Sequence, residues 1–226
     1  FVHEQSCECT KPELDLFSIP PTQTSIENGS WVELLSTLND TSPIEFEING
    51  SGEDYIDFAN SYLHVRAKIT KPNGDDIDDN APVGPVNLFL HSLFSQVDVS
   101  LNGTQITSSM NTYPYRAMIE TLLSYGGDAK ESQLTSELFY KDVAGKMDVV
   151  DFQEAGRNPG LYKRSRFTNL SAEVDMMGRL HSDIFFQERY MLNEVATKIK
   201  LVRSKKEFVL MSAANFLVKI VSAVMY

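Results

Sequence analysis

Short runs in which apolar and polar residues alternate recur along this chain. Ile44, Phe46 and Ile48 alternate with Glu45, Glu47 and Asn49. Leu63, Val65, Ala67 and Ile69 alternate with His64, Arg66, Lys68 and Thr70, and Val97, Val99 and Leu101 with Asp98, Ser100 and Asn102. A period of two sends one set to a buried face and the other to water, which predicts half-buried strands. Residues 31–35, 88–101, 172–180, 184–186, 195–202, 208–211 and 216–226 also read as β. Asn102-Gly103 lies between two alternating runs and predicts a tight hairpin, because both residues tolerate positive φ. Lys71-Pro72-Asn73-Gly74 closes the strand at 62–70.

The middle of the chain changes period. Thr112 is placed to cap a helix with Pro114 in its first turn, and Tyr115, Met118, Ile119, Leu122 and Leu123 share one face at helical spacing. Gly126 and Gly127 stop it, and Asp128 starts a second helix carrying Leu134 and Leu138. From 147 to 167 the pattern weakens, and Gly156, Asn158, Pro159 and Gly160 read as a long loop. Eight or nine unevenly spaced strands with long crossing loops fit a sandwich better than a meander. The expectation is an all-β sandwich with a helical insertion at about residues 112–140.

With 226 residues, 42% of them hydrophobic, the chain is long enough for one large β domain. A net charge of -11 argues against direct nucleic-acid binding, which needs clustered Lys and Arg. Cys7 and Cys9 sit in a polar leader, too close for an unstrained mutual disulfide, so the core reads as thiol-free and made in a reducing compartment. Sequons at Asn28, Asn39, Asn49, Asn102 and Asn169 matter only in a secretory context. Residues 1–11 carry no apolar core of a signal peptide, and the apolar stretch 216–226 contains Lys219 and Ser222 and reads as a buried strand, not a membrane span. Residues 1–21 read as an N-terminal arm and 22–226 as a single domain.

Candidate chemistry is sparse. His3, His64, His91 and His181 stand far apart, without metal-ligand spacing, and no phosphate loop or nucleophile elbow occurs. No catalytic residue, cofactor or metal is expected. The acidic run Asp75, Asp76, Asp78 and Asp79 reads as a solvated turn, since it lacks the ligand ladder of an EF-hand. Lys163, Arg164 and Arg166, with Arg203, Lys205 and Lys206, read as solvent-facing or intersubunit charges. Tyr113, Tyr115, Phe139 and Tyr140 in the insertion read either as local core or as a subunit interface, where aromatics are enriched.

Four ordered segments carry a resemblance. They are Leu14-Asp15-Leu16-Phe17 through Pro20-Pro21-Thr22-Gln23-Thr24-Ser25-Ile26, Asp57-Phe58 through Leu63-His64-Val65, Val97-Asp98-Val99-Ser100-Leu101-Asn102-Gly103, and Asn111-Thr112-Tyr113-Pro114-Tyr115-Arg116. In that order they resemble major capsid proteins of Polinton (Maverick) elements and adintovirus-like viruses. The resemblance implies a double jelly-roll of the adenovirus-like lineage, of which this chain is the N-terminal jelly-roll. It also implies a structural, non-enzymatic role in the virion. The protein would be made in the host cytoplasm or nucleus and would self-assemble as a homotrimer into pseudo-hexagonal capsomers, with minor or penton proteins as further partners. The rival readings are a carbohydrate- or protein-binding β-sandwich and, more remotely, a cupin-like enzyme, which would need clustered histidine and carboxylate ligands.

Overall fold

The computed structural model describes residues 26–36, 43–49, 54–150, 152, 156–187 and 189–226. The expected arm, residues 1–21, lies outside them. The chain divides into two units between Trp31 and Val32. Residues 26–31 of the first are exposed and carry no regular secondary structure.

Val32–Tyr226 holds the sandwich. Its elements run β1 (Leu34–Leu35), β2 (Ile44–Ile48), β3 (Leu63–Thr70), β4 (Val83–Pro85), α1 (Phe89–Ser92), β5 (Phe94–Leu101), β6 (Thr104–Gln105), α2 (Tyr113–Ser124) and α3 (Gly127–Glu131). They continue with α4 (Pro159–Phe167), β7 (Val174–Gly178), β8 (Thr197–Arg203), α5 (Lys206–Val209), β9 (Leu210–Ser212) and β10 (Leu217–Met225). One antiparallel sheet has the order β1-β10-β3-β7, a second has β2-β8-β5-β6, and β4 pairs with β9 in a small ribbon. The architecture is an all-β jelly-roll sandwich with a helical insertion between β6 and β7.

Alternation decides which side chains enter the core. Leu63, Val65 and Ala67 of β3 and Val174 and Met176 of β7 meet Ile44, Phe46, Val97, Val99, Ile199 and Leu201 of the opposite sheet in one apolar cluster. Burying each large aliphatic side chain contributes about 1.5–3 kcal/mol. The outward positions pair across strands: Lys198 Nζ lies 2.8 Å from Glu45 and 3.2 Å from Glu47, and Arg66 bridges Glu173 and Asp175. The Asn102-Gly103 hairpin forms as expected, with φ of 48° and 79° joining β5 to β6.

Five segments depart from the sequence reading, the first being the helix expected to carry Leu134 and Leu138: α3 ends at Glu131, and Leu134 falls in the 3-10 turn Gln133–Glu137. The first part of 88–101 is helical: Leu88 takes φ 55° and Phe89, Leu90, His91 and Ser92 are all buried, so their apolar run lacked the alternation of a half-buried strand. Residues 184–186 lie in a 3-10 turn, Asp183–Phe186, and of 208–211 the first two residues end α5 while the last two are in β9. The expected loop at 147–167 ends in α4. There the Asn158 side chain accepts from the Gly160 N–H at 3.2 Å and Pro159 opens the first turn, an N-cap and N1 pair whose meaning was missed.

Candidate functional site

Helix α2 is built inside out. Its buried residues are Tyr113, Pro114, Ala117 and Thr121, whereas Tyr115, Ile119, Leu122 and Leu123 are exposed. Of the apolar face read from helical spacing, Met118 is half-buried against Leu88, Ala117, Leu134 and Phe139, while the rest is turned to solvent, and Leu123 is 82% exposed. Phe208 of α5 lies edge-on against Tyr115, with ring centroids 5.7 Å apart, and extends the same surface. Thr112 makes no side-chain cap; its carbonyl instead accepts from the N–H groups of Tyr115 and Arg116.

The four aromatic residues singled out from the sequence do not form one patch. Tyr113 is interior, and Phe139 packs with Leu88, Ala117 and Leu134. Tyr140 is half-buried and stacks on Phe167 at 5.8 Å. Only Tyr115 is exposed, so Tyr113 and Phe139 serve the core and not a surface of this chain.

Tyr113, on the buried face of α2, meets a polar cluster that the sequence did not reveal. His91 from α1, Glu137 at the end of the 3-10 turn Gln133–Glu137, and His181, three residues after β7, are 1%, 7% and 4% exposed. Each offers a ligating atom within 4.8 Å of the other two. The two imidazoles stand edge to face, centroids 4.6 Å apart. His91 Nδ1 lies 2.8 Å from the Tyr113 hydroxyl, which also accepts from the His181 backbone N–H at 3.3 Å. His181 Nδ1 lies 2.7 Å from Glu120 Oε2, and Arg116 ties Glu120 to Asp183 through contacts of 2.7 Å and 2.5 Å. A carboxylate only accepts, so His181 carries its proton on Nδ1 and leaves Nε2 with a free lone pair.

Burial sets the protonation of this cluster. Desolvation, helped by the neighbouring His91, pulls His181 down to about 4 and keeps it neutral. Burial pushes the Tyr113 hydroxyl up, so it remains protonated. His91 Nε2 and Glu137 Oε2 approach to 3.3 Å, but their alignment makes no hydrogen bond, and both atoms are buried without a hydrogen-bond partner. Gly178 makes room for that carboxylate: a Cβ there would collide with Glu137 Oε1 and Cδ. Sequence reasoning missed the cluster because 90 residues separate the two histidines and no local spacing connects them. The expectation of no clustered histidine and carboxylate ligands is corrected accordingly.

The other predicted charged positions divide. Arg164 is fully buried, not solvent-facing. Its Nε donates to the Pro85 carbonyl, Nη1 to the Tyr140 carbonyl and Nη2 to Asp142 Oδ1. Lys206 is half-buried and its Nζ donates to Asn215 Oδ1. The acidic loop is solvated and braced by Lys71 on Asp78 at 2.9 Å and Asn169 on Asp79 at 2.7 Å. His64, on the outer face of β3, lies 3.2 Å from Asp175.

With the geometry established, the fold can be compared with known proteins. A chain of the Sputnik virophage, solved by cryo-electron microscopy, matches over 97% of this chain and 51% of that one, at 13% identity and a TM-score of 0.52. The fold is shared with that chain. The mavirus major capsid protein matches over 96% of this chain and 52% of that one, at 16% identity and a TM-score of 0.40. In sequence, the chain is 25% identical over 203 residues to the uncharacterized protein F54H12.2 of Caenorhabditis elegans, covering 85% of this chain and 45% of that protein. The chain thus spans about half the length of the relatives it matches, between 45% and 52%. No protein-family model matches it. Among the described residues, no helix is long and apolar enough to cross a membrane.

Proposed function

We propose that the chain is the N-terminal jelly-roll of a major capsid protein of the Polinton and adintovirus type. In this reading it is a structural, non-enzymatic subunit that self-assembles as a homotrimer into the shell of a virion, with penton or minor proteins as further partners. The observation that carries the reading is the outward apolar face of α2. Tyr115, Ile119, Leu122 and Leu123 are exposed on one short helix whose opposite face is already packed. A contiguous apolar surface of this kind marks an interaction site, and aromatic and aliphatic anchors suit the core of a subunit contact. The jelly-roll shared with a Sputnik virophage chain, and a length about half of that chain, support a second copy as the occupant and a second jelly-roll as the continuation.

Light scattering on the chain, alone and extended by the sequence that follows it in its gene, tests the proposal. Trimers or larger particles are expected from the extended form. Ile119→Asp with Leu123→Asp should return it to monomer, with a melting temperature within about 2 °C of the parent because both side chains are exposed. A monomer in both forms at every concentration would overturn the capsid reading in favour of a carbohydrate- or protein-binding sandwich.

A further inference from the structure

We propose that His91, Glu137 and His181 bind one divalent transition-metal ion of the zinc class, which clamps the helical insertion to the sandwich. The inference does not depend on how the chain assembles.

The donor set comes from three separate parts of the unit: α1, the 3-10 turn Gln133–Glu137 and the segment after β7. Two imidazoles and one carboxylate suit zinc and its neighbours, whereas calcium and magnesium favour oxygen ligands alone. Around a tetrahedral ion with bonds of about 2.0–2.2 Å, ligand atoms stand roughly 3.3–3.5 Å apart. His91 Nε2 and Glu137 Oε2 already lie at 3.3 Å, and the third donor lies within 4.8 Å of both. A small inward movement of His181 would bring all three donors to this spacing and leave the fourth tetrahedral position to a water.

Two features mark these residues as more than a packed polar group. First, His91 Nε2 and Glu137 Oε2 are buried and have no hydrogen-bond partner. Leaving such atoms unpaired in the interior is unfavourable, and an ion between them would satisfy both. Second, the rear nitrogen of each imidazole is already engaged: Nδ1 of His91 by the Tyr113 hydroxyl and Nδ1 of His181 by the Glu120 carboxylate. Metal-bound histidines are held in this way, with the far nitrogen fixed so that the near one presents its lone pair. With an ion bound, the His91 proton sits on Nδ1 and is donated to the Tyr113 oxygen. Gly178 leaves the space in which the Glu137 carboxylate sits.

The test uses the full chain, stripped with EDTA and then refolded with zinc chloride. The expected result is one zinc per chain retained through gel filtration, a higher melting temperature, and shifted Nε2 resonances of His91 and His181 in side-chain 1H–15N spectra. Glu120→Gln should lower zinc affinity by about 10–100-fold, Glu137→Gln by more, and His64→Asn should leave it unchanged. Zinc retained below a tenth of an equivalent, unshifted His91 and His181 resonances, or equal affinity in the Glu137→Gln chain would each overturn the proposal. The spectra are recorded on the unaltered chain, so they decide the matter even if a variant fails to fold.

Discussion

Arg164 and the His91–Glu137–His181 cluster are both buried polar joints between a helical segment and the sandwich, but they are completed differently. Arg164 fastens α4 to β4 and to the chain leaving the insertion, and each of its three nitrogens has an oxygen partner within 2.9 Å. Burial lowers its pKa and Asp142 opposes that shift. The histidine joint fastens α2 and the turn Gln133–Glu137 to the sandwich, yet leaves one nitrogen and one carboxylate oxygen without a hydrogen bond. A saturated joint is structure and nothing else. An unsaturated one at the same depth has capacity left for a ligand.

The largest expected effect falls on the saturated joint. Arg164→Met keeps much of the volume but strands the Pro85 and Tyr140 carbonyls and the Asp142 carboxylate. Removing one partner of a buried ion pair costs about 3–5 kcal/mol, and in a domain of this size that lowers the melting temperature by on the order of 10 °C. Calorimetry with and without zinc should give the same loss. A loss that zinc reverses would mean that the two joints are not independent.

Two glycines sharpen the comparison at an intermediate scale. A Cβ at Gly160 would lie 2.5 Å from the Lys141 carbonyl oxygen and 2.7 Å from Asp142 Oδ1, whereas the three atoms nearest to one at Gly178 all belong to the Glu137 side chain. Backbone cannot step aside as a carboxylate can. Gly160→Ala should therefore cost about 1–3 kcal/mol, although alanine favours helices elsewhere. Gly178→Ala should cost less in urea unfolding but weaken zinc binding, because it displaces a ligand. If Gly178→Ala left zinc affinity intact, the Glu137 carboxylate would not be where the ion sits.

The sequence was most legible where one rule acts alone. β3 follows strict alternation, and Leu63, Val65, Ala67 and Ile69 are all fully buried. The Asn102-Gly103 turn follows from backbone sterics. Legibility failed where tertiary contacts overrode a local signal. The apolar residues of α2 follow helical spacing yet are largely exposed, because the opposite face, with Tyr113 held at the histidine joint, is the one that packs. Arg164 looked like a surface charge because its oxygen partners, two of them backbone carbonyls, leave no trace in side-chain patterning. His91 and His181 meet only once the fold has formed, so no spacing rule reaches them.

The smallest effect separates the joints by pH. In the chain stripped of metal, His181 faces Glu120 from α2, which Arg116 holds, His91 from α1 and Glu137 from the turn before β7. Its pKa falls from an ordinary 6.5 to about 4 on folding, chiefly by desolvation. The unfolded chain therefore binds the extra proton more readily than the folded one. The stabilising contribution is complete above pH 6.5 and is lost as pH falls toward 4. Urea unfolding of the metal-free chain between these limits should show declining stability, and His181→Asn should flatten that decline. Arg164 stays charged throughout, so the cost of Arg164→Met should be the same at both ends of the window. An equal slope in the parent and in His181→Asn would assign the decline to other groups and leave both joints insensitive to acid.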